Sequence, residues 1–478
     1  MSEHLASEKV AFDAPTADPK GPVPARRRWL RRSLLALAVL SPVALVSLWI
    51  AVHSLPWMGP LVAGTLRSII GKENVTRLED FVYAVEDRVN RTVKSGDRPK
   101  AYWKVKPGAQ RPLTGPAAPT QAAETSAALA AAQPAPALPA SPPPFQPKDV
   151  GPVVTGFGAE GDGTWVPMGD RRRPNESPRL YKTLLHPDKS RSWSELFVVA
   201  VDLGQVEVMP VMGYQEPRTD RPEAKDYVRP AKVPEAHWEA LLGAFNGGFM
   251  AEHGHHGVYF DGITFIPPRE ESCTVVRYQD GSMDVATWNK VSARQSEMTW
   301  YRQAPACMYE AGEMHPSLKV YSARKWGATL DGETVIRRSA VGIDAAHKVL
   351  YVGISNHTNA KVMALGMHHA GAQSVAQMDV NWSYPKFVTY ENNDKGQLVP
   401  VALADGFEFD EFLYLRHRSM RDFFYLARKE EVTVRAPQPA PAPVDAALAP
   451  TASGGAASGP AASGGTTGAT TVGAPAAK

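Results

Sequence analysis

The chain has 478 residues, and its 52 Lys and Arg against 49 Asp and Glu leave a net charge of only +3. Many of the cations lie near the N-terminus, and no basic stripe interleaved with aromatics follows, which excludes nucleic acid as a partner. Length alone would allow several average domains, but two Pro/Ala-rich stretches take up much of the chain and leave room for one large domain.

The first segment, residues 1–32, ends in the basic run ARRRWLRR and reads as a cytoplasmic N-terminus. Residues 33–54 follow as a nearly uninterrupted apolar stretch, long enough to cross a bilayer as one helix. Cations before the span keep that end inside, so everything after it is expected on the non-cytoplasmic side, periplasmic or extracellular. An uncleaved signal anchor fits best, because no A-x-A site follows the span. A cleaved secretory signal and a twin-arginine signal are the other two versions.

Residues 55–106 form a juxtamembrane region. Within it Val75, Leu78, Val82, Val85 and Val89 recur at alternating three- and four-residue spacing, which predicts a helix with a narrow apolar seam and Asn74 as its N-cap. The seam offers a weak dimer contact, or a surface that lies against the membrane or the main domain. Residues 107–148 are a Pro/Ala-rich linker and residues 436–478 a Pro/Ala/Gly-rich tail; neither holds enough aliphatic or aromatic side chains to offset ordering entropy.

Residues 149–435, rich in Trp, Tyr, Phe and Val, are the main domain. GTWVPM, ELFVVAVDL, VEVMPVMG, GAFNGGFM, GVYFDGITFI, CTVVRYQDGSMDVATW, SAVGIDAAHKVLYVGIS and SVAQMDV all read as strands or strand ends, with Asp280-Gly281 turning a hairpin. Helical patterns cover residues 234–242 and 359–373; residues 405–418 suit a third helix or a further strand pair. The fold class is therefore α+β: a mixed β-sheet core with a few packed helices, preceded by a single N-terminal transmembrane helix. Cys273 and Cys307 read as two small buried thiols rather than a disulfide.

Two stretches carry a resemblance when taken together. GAFNGGFM resembles the NGGFF strand end of the phosphodiester glycosidase family. Arg338-Ser339-Ala340-Val341-Gly342, then Gly371-Ala372, then Met378-Asp379-Val380-Asn381-Trp382-Ser383 are similar in order and spacing to that family's second block. The resemblance covers about residues 149–390 and implies hydrolysis of a sugar–phosphate diester, with a glycan or sugar phosphate as substrate. It assigns Asp379 as the catalytic carboxylate and Arg338 as a phosphate clamp, a task suited to a planar guanidinium fork. Asn246 would bond sugar hydroxyls, and the Gly247 and Gly248 amides would face a phosphate oxygen. Ser339, Asn356, His357, Asn381 and Ser383 complete the expected lining.

The chain departs from the family where Val380, Asn381 and Trp382 replace a glycine run, so the pocket is remodelled. That departure favours a second reading, a non-catalytic relative that binds a glycan or envelope component. The histidines of AEHGHHG support a third, a metal-dependent hydrolase. In an extended segment His253 and His255 would share a face and His256 the other, but a third ligand is wanting. The expected role of this loop is instead a general acid, assigned to His255. The sequence implies no metal and names no cofactor.

Overall fold

The computed structural model describes residues 68–103, 145–320, 334–381, 383–407 and 409–432, with positions 47, 62, 65, 66 and 326. The basic N-terminus, the expected membrane span (apart from Ser47), most of the expected linker and the tail lie outside the described residues. Among the described residues no helix is long and apolar enough to cross a membrane.

The first helix, α1, runs Lys72–Val93. Strands follow as β1 Val166–Pro167, β2 Leu180–Leu185, β3 Leu196–Asp202, β4 Val206–Val211, β5 Leu241–Asn246, β6 Val258–Phe260 and β7 Ile263–Ile266. Next come β8 Cys273–Tyr278, β9 Met283–Thr287, β10 Met298–Ala304, β11 Tyr309–Glu310, β12 Glu313–Met314, β13 Ile336–Ile343 and β14 Val349–Thr358. Helix α2 spans Ala360–His369, and β15 Ser374–Val380, β16 Phe387–Asn392, β17 Leu398–Ala402 and β18 Phe423–Arg428 complete the order.

These strands build three sheets: β1-β2-β3-β14-β13-β15-β11-β12, β7-β6-β10-β8-β9 and β17-β16-β5-β18-β4. The α+β class holds, but every pairing between named strands is antiparallel, where the sequence suggested mixed pairing. Short connections explain this. Hairpins such as Asp261-Gly262, with φ of 54° and 79°, join neighbours directly, while parallel strands would need long crossovers.

The central core lies where the three sheets meet. Phe197, Val199 and Val352 from the large sheet pack with Phe245 and Phe424 from one small sheet and Val275 and Trp300 from the other. Helix α2 covers the opposite face of the large sheet through Met363, Ala364 and Met367. Asn359 caps α2, its Oδ1 accepting the Val362 N–H at 2.9 Å.

Several expectations need correction. The helix expected at residues 234–242 is a single 3₁₀ turn, Glu235–His237, followed by β5. Leu241 pairs with Ala427 of β18, so the two leucines serve a strand buried on both faces rather than a helix stripe. Residues 405–418 form turns with one bridge, Leu413–His417. Asn74 does not cap α1: Gly71 precedes the helix, and Asn74 Nδ2 donates to Ile70 O at 2.8 Å. Of the apolar seam only Val75 is buried; Leu78, Val82, Val85 and Val89 face solvent.

Cys273 and Cys307 are buried, as expected, but joined in a disulfide. Cys273 begins β8 opposite Ala304, and the turn after β10 returns Cys307 to within 4.6 Å between Cα atoms, inside bonding reach. The bond closes a loop with a separation of 34 residues, for which unfolded-chain entropy gives about 3–4 kcal/mol. Cys273→Ser should therefore lower the urea midpoint markedly without changing the far-ultraviolet spectrum. An unchanged midpoint would mean that the bond contributes nothing to stability.

Candidate active site

Asn246, Ser339 and Asp379 are far apart in sequence and meet at the ends of β5, β13 and β15. Asn246 Nδ2 donates to Ser339 Oγ at 2.8 Å, and Ser339 Oγ donates to the Asp379 carbonyl at 3.1 Å. Asn246 Oδ1 accepts the Lys386 N–H at 3.1 Å. The asparagine thus clasps the large sheet to a small one. A β-bulge sits at the meeting point: Arg338 pairs with Val380 and Ala340 with Gln377, so Ser339 alone opposes Met378 and Asp379. Such a bulge interrupts strand alternation and re-aims the side chains beside it.

The charges come from a segment the sequence reading passed over, Arg421-Asp422 at the start of β18. Arg421 Nη2 lies 2.6 Å from Asp379 Oδ2, and its guanidinium stacks over the Tyr384 ring at 3.9 Å. Beyond this ion pair Oδ2 has no further hydrogen-bond partner among the described residues. Asp422 Oδ2 accepts Arg302 Nε at 2.9 Å and the Gly248 N–H at 3.3 Å, while its carbonyl accepts the Gly247 N–H at 3.0 Å and the Tyr384 hydroxyl. Nearby, buried Glu216 accepts the Ala251 N–H at 2.9 Å.

Burial pushes the Asp379 carboxyl above its ordinary value of 3.8, and the Arg421 charge offsets part of that. Burial pulls the Arg421 guanidinium down, but Asp379, Tyr384, Asp422 and Glu216 more than compensate. Lys386 is pushed down to about 8 by burial, with Arg337 and Arg421 adding to the effect. Asp422 Oδ1 and Arg421 Nε are buried without a hydrogen-bond partner, whereas Asp379 Oδ2 faces Arg421 and Glu216 Oε1 faces Arg218 Nε at 3.3 Å.

The expected residues divide. Asn246, Gly247, Gly248, Ser339 and Asp379 come together; Arg338 does not join them. Strand alternation and the bulge turn its fully buried side chain away, toward the carbonyls of Trp326 at 2.6 Å, Thr358 at 3.1 Å and Thr334 at 3.0 Å, and toward Gln377 Oε1 at 3.0 Å. Burial lowers it to about 9, and it pins the chain around Trp326 rather than clamping a phosphate. The Gly247 and Gly248 amides are likewise engaged, by Asp422. A Cβ at Gly247 would lie 2.3 Å from the Asp422 carbonyl oxygen, and one at Gly248 2.7 Å from the Arg302 guanidinium carbon. The glycines are required for the approach of this ion pair.

His255 is exposed, with φ of 47°, so the segment is not extended and the expected sharing of faces fails. His253 is the loop histidine whose charge reaches Asp379. His256 is largely buried, with Nδ1 3.1 Å from Ser272 Oγ, and burial pushes it down to about 3. His357 is pushed down to about 4 by burial, with Lys94 and Arg337 adding to the effect. Asn356 Oδ1 is buried without a partner. Asn381 Oδ1 accepts the Ser383 N–H and hydroxyl, both at 2.9 Å, so these two residues close a local turn. Val380 packs on Phe249 and Ile336; Trp382 lies outside the described residues. Among the described residues no group of three or more His, Cys, Asp or Glu side chains could hold a metal ion.

No family model matches the chain, and no curated protein does. Among solved structures it is similar to the zebrafish N-acetylglucosamine-1-phosphodiester alpha-N-acetylglucosaminidase catalytic domain auto-inhibited by its pro-peptide. The identity there is 14%, over 55% of this chain and 88% of that one, with a TM-score of 0.35. It is also similar to a hypothetical protein from Synechocystis, at 9% identity over 52% of this chain and 62% of that one, TM-score 0.33. A Burkholderia pseudomallei protein described as exported matches at 10% identity over 49% of this chain and 74% of that one, TM-score 0.27. The functional reading rests on the residues themselves.

Two predictions follow from this geometry. Gly247→Ala must displace Asp422 and should cost about 1–3 kcal/mol in urea unfolding, whereas Gly169→Ala, with open space at its Cβ, should be neutral. Equal effects would contradict the close approach. His256 and His357 titrate below their ordinary value of 6.5 when folded, so the unfolded chain binds their protons first as pH falls. Their stabilising effect is complete above pH 6.5 and is lost toward about 4 and then 3. His256→Gln should flatten that acid slope in pH-dependent unfolding; an unchanged slope would contradict the assignment.

Proposed function

We propose that the chain is an exported, membrane-anchored hydrolase of the phosphodiester glycosidase type, cleaving a sugar–phosphate diester in an envelope or extracellular glycan. The observation that carries this reading is the Asp379–Arg421 pair, buried where the Asn246 and Ser339 strand ends meet. Residues 33–54 supply the anchor, and the Cys273–Cys307 disulfide suits a domain on the oxidising, non-cytoplasmic side. The exposed seam of α1 is where a second copy would pack.

In this reading Arg421 replaces Arg338 as the phosphate partner. Its guanidinium faces the leaving phosphate and takes up the charge that grows as the bond from the anomeric carbon to the phosphate oxygen breaks. Asp379 withdraws a proton from the attacking water, whose oxygen bonds the anomeric carbon. The products are a free sugar hydroxyl and a phosphomonoester. A carboxyl raised by burial is a stronger base than an exposed one, which suits that task.

One observation favours the second reading, a glycan-binding relative without turnover. Val380, at the position of a family glycine, is buried against Phe249 and leaves no open backbone beside Asp379. A single assay separates the two. With the full chain in detergent and a chromogenic sugar phosphodiester, Asp379→Asn should reduce kcat/KM by about 10²–10⁴-fold. The base must be ionised, so wild-type kcat/KM should rise with pH through a value above 3.8, and that limb should vanish in the variant. Glycan binding with no turnover in wild type would favour the binding relative, and turnover untouched by Asp379→Asn would remove Asp379 from the chemistry.

A further inference from the structure

Lys386 stands where β16 meets the candidate site. The register that sets Phe387 opposite Phe245 and Val388 opposite Ala244 runs one step further, to Lys386 opposite Asn246. The two are tied in both directions: the Lys386 N–H donates to Asn246 Oδ1 at 3.1 Å, and the Asn246 N–H donates to the Lys386 carbonyl at 3.3 Å. Cross-strand neighbours leave a sheet on the same face, and the Asn246 side chain points to Ser339 Oγ. The lysine is therefore directed to the face that carries Asn246, Ser339 and Asp379.

Its charge is unanswered there. Lys386 is half-buried, and among the described residues its ammonium has no hydrogen-bond or ion-pair partner. Two cations act on it, Arg337 from β13 and Arg421 from the residues just before β18. The acid whose field reaches it, Asp410, is already engaged by His417 at 2.6 Å and by the Phe412 N–H at 2.8 Å. Arg421 is only partly used. Its Nη2 meets Asp379 Oδ2 at 2.6 Å and the Gly248 carbonyl at 3.2 Å, while Nε is buried without a hydrogen-bond partner. Like charges held together out of water are costly until an anion completes the group. Burial and the two arginines accordingly loosen the lysine's hold on its proton.

We propose that Lys386 and Arg421 form an oxyanion subsite beside Asp379, which takes a phosphate group between the ammonium and the Nε edge of the guanidinium. The arginine offers a fixed, planar edge, and the lysine a point charge on a flexible stem that adjusts to the ligand. Binding is a property of the subsite by itself. Its part in turnover, holding the leaving phosphate while Asp379 serves the sugar side, rests on the hydrolase reading above.

Inorganic phosphate and sulfate, titrated into the full chain in detergent, test the subsite without reference to turnover. Phosphate should raise the thermal midpoint of the wild type, because it binds the folded chain. Lys386→Met should weaken phosphate binding roughly tenfold or more, the loss of one charge-assisted contact. Without phosphate that variant should melt no lower than wild type, since it removes a cation that two others repel. Lys386→Arg, which keeps the charge, should retain most of the affinity. Sulfate keeps its charge across the alkaline range, so its binding should weaken as pH rises through about 8 in wild type and not in Lys386→Met. Absence of phosphate binding in wild type, or binding untouched by Lys386→Met, would overturn the proposal. A midpoint lowered by Lys386→Met would overturn the unanswered charge on which it stands. Phosphate binding that depends on Lys386, with no sugar phosphodiester turnover in wild type, would uphold the subsite and remove the hydrolase reading.

Discussion

Asp422 is buried to 2% exposure and must be paired in place, because an isolated carboxylate in that position would be strongly destabilising. Its partners define the junction. Arg302 of β10 reaches it from one five-stranded sheet, the Gly247 and Gly248 amides reach it from just beyond β5 of the other, and Tyr384 closes the third side. Removing any one leaves a buried charge or amide unsatisfied, so the sheets are held in a single relative placement. The glycines after Asn246 follow from this constraint, since side chains there would occupy the space of the ion pair.

The same junction sets the chemistry. Arg421 precedes Asp422 in the chain, so fixing Asp422 delivers the Arg421 guanidinium to Asp379. The bulge at Ser339 adjusts β15 so that the Asp379 carbonyl is held by Ser339, while its carboxyl takes the Val380 N–H and faces Arg421. A structural ion pair and an underused carboxylate thus lie side by side. That division of labour is common where a site needs one perturbed group on a rigid support.

Local pattern made much of the fold legible. Continuous apolar runs with turn residues gave β3, β5, β8 and β15, the Asp280-Gly281 hairpin and the capped helix α2. The meeting of Asn246, Ser339 and Asp379 was implied by the resemblance to the phosphodiester glycosidase family and not by local pattern. Other features depend on long-range geometry. Arg338 was the expected clamp and Arg421 was passed over, and only the alternation and bulge of β13 show that Arg338 turns away. Strand β10, MTWYRQA, hides Arg302 and Gln303 inside a fully buried run, which reads as polar until their partners are known. Leu241 and Leu242 suit a helix stripe or a doubly buried strand, and β18 decides between them. The disulfide needed the return of the chain after β10. The orientation of α1 was invisible, since the seam left its partner open and the contact is made by Val75, Tyr83 and the charged side.

The central claim is that Asp379 and Arg421 form one ligand site. A crystal structure of the chain with a sugar 1-phosphate bound tests it most directly. The account predicts the phosphate against the Arg421 guanidinium and the sugar ring beside the Asp379 carboxyl. A phosphate bound at Arg338, or a ligand that touches neither Asp379 nor Arg421, would contradict it.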